Sequence, residues 1–130
     1  MKAQEFNDIV KESIIDISSL DPKYNHFLDY DMEDLDDKNN MMDFLEEYLF
    51  VHNYLQSKKG TIQLVKAIGG GEGGGDYVQR VFSITDDTTN EKEYFAIEGY
   101  YSSWMGTDYD CSKFCKVKPQ EEVVINYVPE

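Results

Sequence analysis

The chain is poor in the residues that usually build reactive centres. It has two cysteines and two histidines among 130 residues. Cys111 and Cys115 are too few for a disulfide framework, and their C-x-x-x-C spacing lacks the second ligand pair of a zinc site. His26 and His52 stand far from both in sequence. No metal and no cofactor are therefore expected, and unbridged thiols suit a reducing compartment. Basic residues are also scarce. Twelve Lys and Arg face 26 Asp and Glu, for a net charge of −14. Such a surface repels phosphates, which argues against direct nucleic-acid binding and leaves a basic partner, a cation or plain solubility. No apolar run approaches the roughly 20 residues of a membrane span. The opening MKAQEFNDIVKESIIDI is amphipathic and lacks a cleavage pattern, so a cytoplasmic protein with no membrane partner is expected.

What is present is hydrophobic patterning of two kinds. Phe6, Ile9, Val10, Ile14, Ile17 and Leu20 recur at helical spacing. They predict a helix from about Ala3 to Ser19, ended by Asp21-Pro22. Asp8, Glu12 and Asp16 share its outer face and read as a solvated acidic stripe. Met41, Phe44, Leu45, Tyr48, Leu49, His52 and Leu55 form a second stripe. It predicts a helix from Met41 to about Ser57, capped by Asn39 or Asn40 and terminated by Gly60. Between the two, a short helical turn is expected near His26 to Asp31 and a loop over Asp34 to Asn40.

After Gly60 the period changes to that of strands. Thr61–Ile68, Asp76–Thr85, Glu93–Tyr101, Lys113–Lys118 and Glu122–Val128 are the expected strands, with a turn over Asp86 to Asn90. Ile62 and Leu64 should share one face; Val78, Phe82 and Ile84 should point inward, with Arg80 interrupting that face. Two helices followed by a run of strands is an α+β pattern. The expected fold is a single domain over 1–130, with a helical, acidic part (1–60) packed on an antiparallel sheet of four to five strands (61–130).

Three stretches invite a chemical reading. Six glycines surround Glu72 between two strands, but no helix and no Lys-Ser/Thr follow. A phosphate loop needs both, so this is a hairpin tip. From Asp21 to Glu47, ten acids stand against Lys23 and Lys38, a net of −8. Asp29-x-Asp31-x-Glu33 begins like a calcium loop, yet Asp34 occupies the sixth position and Asn40 the twelfth. The segment instead suits a solvated surface, or a decoy in which Asp29, Asp31, Glu33, Asp34, Asp36 and Asp37 take the place of phosphates in a basic groove. The third stretch, Glu93 to Asp110, holds the only tryptophan and four of the ten tyrosines. Tyr100, Tyr101, Trp104 and Tyr109 alternate there with small polar residues, the composition of a contact loop. The competing reading has Trp104 folding back to plug one end of the sheet. No catalytic set is evident. Ser102 and Ser103 lack a nucleophile elbow, and Cys111 or Cys115 with His26 or His52 is only a matter of residue types.

The Gly/Glu-rich tip, Tyr77-Val78-Gln79-Arg80-Val81-Phe82, Gly99-Tyr100-Tyr101-Ser102-Ser103-Trp104, Gly106-Thr107-Asp108 and Val117-Lys118-Pro119 form one pattern. It resembles a loose group of small proteins encoded by bacteriophages and prophages. The resemblance runs from about Gly71 to Tyr127, carries no catalytic motif, and is broken by Cys111 and Cys115. It implies a viral accessory protein that blocks a host defence factor. The leading expectation is a non-enzymatic inhibitor of DNA-mimic, anti-CRISPR or anti-restriction type. Its partner would be a host protein with a basic surface, such as a nuclease or CRISPR effector. An alternative of another class is a small virion or assembly component that self-associates through sheet edges and the Tyr-rich loop.

Overall fold

Phe6, Val10 and Ile14 lie on one side of a helix, and burying that side against a sheet is what makes the helix stable. In the computed structural model, helix α1 spans Ala3–Leu20. Asp21 then turns extended, as a residue before proline must, while its N–H still bonds the Ile17 carbonyl at 2.9 Å. The structure describes residues 1–24, 38–69, 77–104, 106–109, 114–121, 123 and 125–130. The turn expected near His26 to Asp31 and the glycine tip from Gly70 to Asp76 lie outside them.

Helix α2 spans Lys38–His52. It begins earlier than its apolar stripe predicts, so Lys38, Asn39 and Asn40 belong to the helix. It also ends earlier than expected. Asn53 takes a left-handed φ of 69°, a conformation Asn tolerates well, and its N–H closes the helix on the Leu49 carbonyl at 2.9 Å. The chain is thereby released to form a two-residue strand, β1 (Leu55–Gln56), in place of the last helical turn. Gly60 terminates the turn after β1 rather than the helix. Its φ of 155° is one side chains avoid, and a Cβ there would run into the Thr85 carbonyl. Ser57 ties this turn, its hydroxyl donating to the Gly60 carbonyl at 2.7 Å and accepting from the Gly60 N–H at 3.1 Å.

The remaining strands are β2 (Thr61–Ile68), β3 (Tyr77–Thr85), β4 (Lys92–Ser102), β5 (Gly106–Tyr109) and β6 (Cys115–Val117). They form an antiparallel sheet in the order β1-β2-β3-β4-β5, with β6 also paired to β4. The expected α+β architecture is the one observed. β4 is central. One edge pairs with β3 from Lys92 to Tyr100. The other edge is divided, with Tyr94–Ala96 taken by β6 and Gly99–Ser102 by β5. Gly99 lets the β5 backbone approach closely, because a Cβ there would collide with the Asp108 carbonyl.

Both edges of β4 are occupied, and the strand expected over Glu122–Val128 is not seen in its described residues. Among the described residues after Val117 none is in a strand, and Val123, Ile125, Tyr127 and Val128 are exposed. In the other direction, Gly106–Tyr109 has the composition of a loop but is drawn into the sheet by pairing with β4.

One face of the sheet is dry. Val78, Phe82 and Ile84 point inward as expected, opposite Gly99, Phe95 and Glu93. Ile62 is buried beside them, whereas Leu64, on the same face, is exposed. The register then slips between Leu64 and Lys66, a one-residue bulge at Val65. Phe6 of α1 meets Phe95 edge-on at 4.4 Å and stacks on Phe114 at 4.9 Å, and Phe114 meets Phe82 edge-on at 5.6 Å. Such ring pairs add about 0.5–1.5 kcal/mol each beyond the area they bury. Under α2, Tyr24 packs on Phe44 and Tyr48. Among the described residues, these elements share one core cluster that draws on both the helical and the sheet half of the chain.

Candidate partner-binding surface

The β4–β5 hairpin presents the aromatic stretch, and strand alternation sorts its residues. Tyr109 lies opposite Gly99 on the inner face and is buried. Tyr101 also points inward and packs against the core. Tyr100, opposite Asp108, points outward and is 60% exposed. Trp104 sits in the turn at 83% exposed, so it plugs nothing. Of the four aromatics expected to form a contact loop, two can meet a partner and two hold the hairpin down.

Tyr109 is part of a polar knot that fixes the hairpin to the helix. Its hydroxyl donates to Glu46 Oε1 at 2.7 Å, and the same oxygen accepts from Arg80 Nε at 2.9 Å. Arg80 Nη1 donates to the carbonyls of Ile68 and Gln79 at 2.9 and 3.0 Å, and Nη2 to that of Gly69 at 3.1 Å. Burial, reinforced by the Glu46 charge, pushes the Tyr109 hydroxyl well above the ordinary tyrosine range. The arginine that interrupts the inward pattern of β3 is thus the clamp at the base of the glycine-rich tip. Glu46 belongs to this knot and not to a solvated acidic surface.

The knot also places the helix. Glu46 meets Tyr109 of β5, while three residues past the end of α2 the chain reaches Leu55 of β1, on the opposite side of the sheet. Helix α2 therefore crosses the inner face from the β5 side to the β1 side. Its first residue, Lys38, lies upstream of Glu46, toward the β5 side. Asp29, Asp31, Glu33, Asp34, Asp36 and Asp37 themselves lie outside the described residues.

The surface has a member that the sequence reading passed over. Tyr77 stands directly across from Tyr100 and is also exposed, so two tyrosines and Asp108 lie side by side on the outer face. The signal was the position of Tyr77 at the first pairing site after the glycines. The acidic stripe on α1 is less bare than it reads in sequence, since Lys58 bonds Glu12 at 2.7 Å and lies 3.9 Å from Asp16. The Glu12 hydrogen bond, reinforced by the charges of Glu12 and Asp16, raises the pKa of the ammonium above its usual value.

No group of three or more potential metal ligands occurs among the described residues. Cys115 is exposed on β6 opposite Ala96, on the outer face, whereas His52 stacks on Tyr48 of α2 at 4.3 Å, on the inner side. The sheet separates that thiol from that imidazole. Among the described residues, no helix is long and apolar enough to cross a membrane. A scan of the chain against protein-family models finds no match, and neither curated proteins nor solved structures yield one.

Proposed function

We propose that this chain is a non-enzymatic acidic binding protein of phage type. It occupies a basic, nucleic-acid-handling site on a host defence protein such as a nuclease or CRISPR effector, in the host cytoplasm. The supporting observation is one of exposure: Tyr100 and Trp104 stand open on the β4–β5 hairpin of a chain whose net charge is −14. Carboxylates spaced like phosphates fill a positive channel and gain its steering field. Charge alone gives on-rate more than hold, and Trp and Tyr supply the desolvated anchors that give affinity. Tyr77, beside Tyr100, widens that anchor.

The test is capture of partners from bacterial lysate on the tagged chain, with washes of rising salt and identification by mass spectrometry. A nucleic-acid-handling protein should be retained at low salt and released as salt rises, because exposed charge pairs are screened within a Debye length. Reversing Asp31, Asp34, Asp36 and Asp37 to lysine should abolish the capture. Unchanged affinity and unchanged salt dependence in that variant would refute the electrostatic account.

A further inference from the structure

Among the described residues, the outer edge of β2 beyond Ile62 has no partner strand. β1 pairs only with Thr61 and Ile62, and among the described residues no strand lies beside the six that follow, Gln63 to Ile68. That run is exposed throughout and includes Leu64, Val65 and Ile68. Proteins usually guard such an edge with prolines, charges or bulges. This one has a bulge at Val65, a single charge at Lys66 and no proline.

Beside the edge, on the outer face, opens a groove of about 430 Å³. Val65, Lys66, Val81 and Tyr94 line it from the sheet, and Val117 to Gln120 form its far wall. Two of its lining residues are lysines, Lys66 and Lys118, and none is acidic. In a chain with a net charge of −14, this is a locally cationic, apolar trough.

The donor is the segment that leaves that wall. Val123, Ile125 and Tyr127 recur at strand spacing, and they are 72–93% exposed. Glu121 and Glu122 precede them and Glu130 follows, so the segment is apolar between acidic ends. It complements the trough in both hydrophobicity and charge. Its own copy does not use it so. Residues 117–120 already form the wall, and the described residues after them are exposed.

We propose that the C-terminal segment carrying Val123, Ile125 and Tyr127 adds as a strand to the β2 edge of a second copy, making a strand-exchanged dimer. Main-chain hydrogen bonds along Gln63–Ile68 supply the pairing, and the alternate apolar side chains enter the trough. Because each copy carries one donor and one acceptor, reciprocal exchange closes on a two-fold axis. This inference is independent of the inhibitor role proposed above.

Sedimentation velocity on the full chain, from low to high micromolar concentration, is the primary measurement. The full chain should sediment as a dimer. Deletion of residues 121–130 should weaken self-association by at least about a hundred-fold, which is about 2.7 kcal/mol. Val65→Pro, at an exposed bulge on an edge where proline is tolerated, should do the same with the circular dichroism spectrum kept. Val65→Asp should act likewise through repulsion of the acidic segment, should the proline variant prove unstable. The deleted chain should also bind a labelled peptide of sequence EEVVINYVPE by fluorescence anisotropy. A full chain that stays monomeric, or a dimer that survives the deletion, would overturn the proposal. A monomeric full chain whose deleted form still binds the peptide would mean that the segment docks in its own copy.

Discussion

The two faces of the sheet differ in what holds their residues. On the inner face, most large side chains of the described residues are buried against a neighbour, Leu64 being an exception. Phe6 lies between Phe95 and Phe114, and even the charged groups are committed, with Glu46 shared by Arg80 and Tyr109. On the outer face, Tyr77, Tyr100 and Val65 are exposed, as is Trp104 in the hairpin turn. Alternation along a single strand creates this division, since Tyr100 and Tyr101 are adjacent in sequence and opposite in role. Buried and exposed residues thus alternate within one motif, so the proposed recognition role of the exposed ones can be separated from stability by substitution.

The largest effect should come from the aromatic core. Phe6→Ala should destabilise the fold by about 3–5 kcal/mol in denaturant unfolding, from lost burial plus the cavity left against Phe95 and Phe114. A loss below about 1 kcal/mol would mean that α1 is not docked on the sheet as described. The polar knot comes next. Glu46→Ala leaves Arg80 and the Tyr109 hydroxyl without their shared acceptor and should cost about 2 kcal/mol. Tyr109→Phe removes one bond of the knot and should cost about 1 kcal/mol.

Acid should loosen the rim of the inner face. Hydrogen bonds from the Met1 amine at 2.6 Å and from Lys116 at 2.9 Å hold Glu93 below its ordinary value of 4.5. The folded state therefore binds fewer protons than the unfolded one between the lowered value and 4.5. The Glu93 contribution to stability is fully present above that window and is lost as pH falls through it. Glu93→Gln should flatten this part of the stability–pH curve, measured by thermal melts; an unaltered curve would remove Glu93 from the account.

Much of this arrangement was legible in the sequence, and the misses share a cause. The stripe of Phe6, Val10 and Ile14 and the alternation of Val78, Phe82 and Ile84 are local signals, and they located α1 and β3 within a residue or so. The extent of α2, the existence of β5 and the fate of the C-terminal residues depend on distant partners. Gly106–Tyr109 is a strand because Gly99 admits it, and the described residues from Val123 to Val128 pair with no strand of their own copy, which their local pattern does not reveal. Of the aromatic site, composition found the stretch, but the inward turn of Tyr109 follows from its register opposite Gly99, which the sequence does not display.

The smallest effect on stability should come from the outer face. Trp104→Ala should change unfolding free energy by less than about 0.5 kcal/mol, because little of the indole is buried. Trp104 is the sole tryptophan, so its fluorescence reports this one site. Its emission in the free chain should already resemble that of indole in water and shift little on unfolding. A blue-shifted emission in the free chain would contradict the exposed placement.

The most direct test of the central claim sets stability against recognition in one variant. Tyr100 and Trp104 are both changed to alanine, and partner capture from bacterial lysate is compared with that of the unaltered chain at matched salt. The account predicts an unchanged melting temperature and loss of the salt-sensitive, nucleic-acid-handling partner. Full retention of that partner by the folded double variant would contradict it.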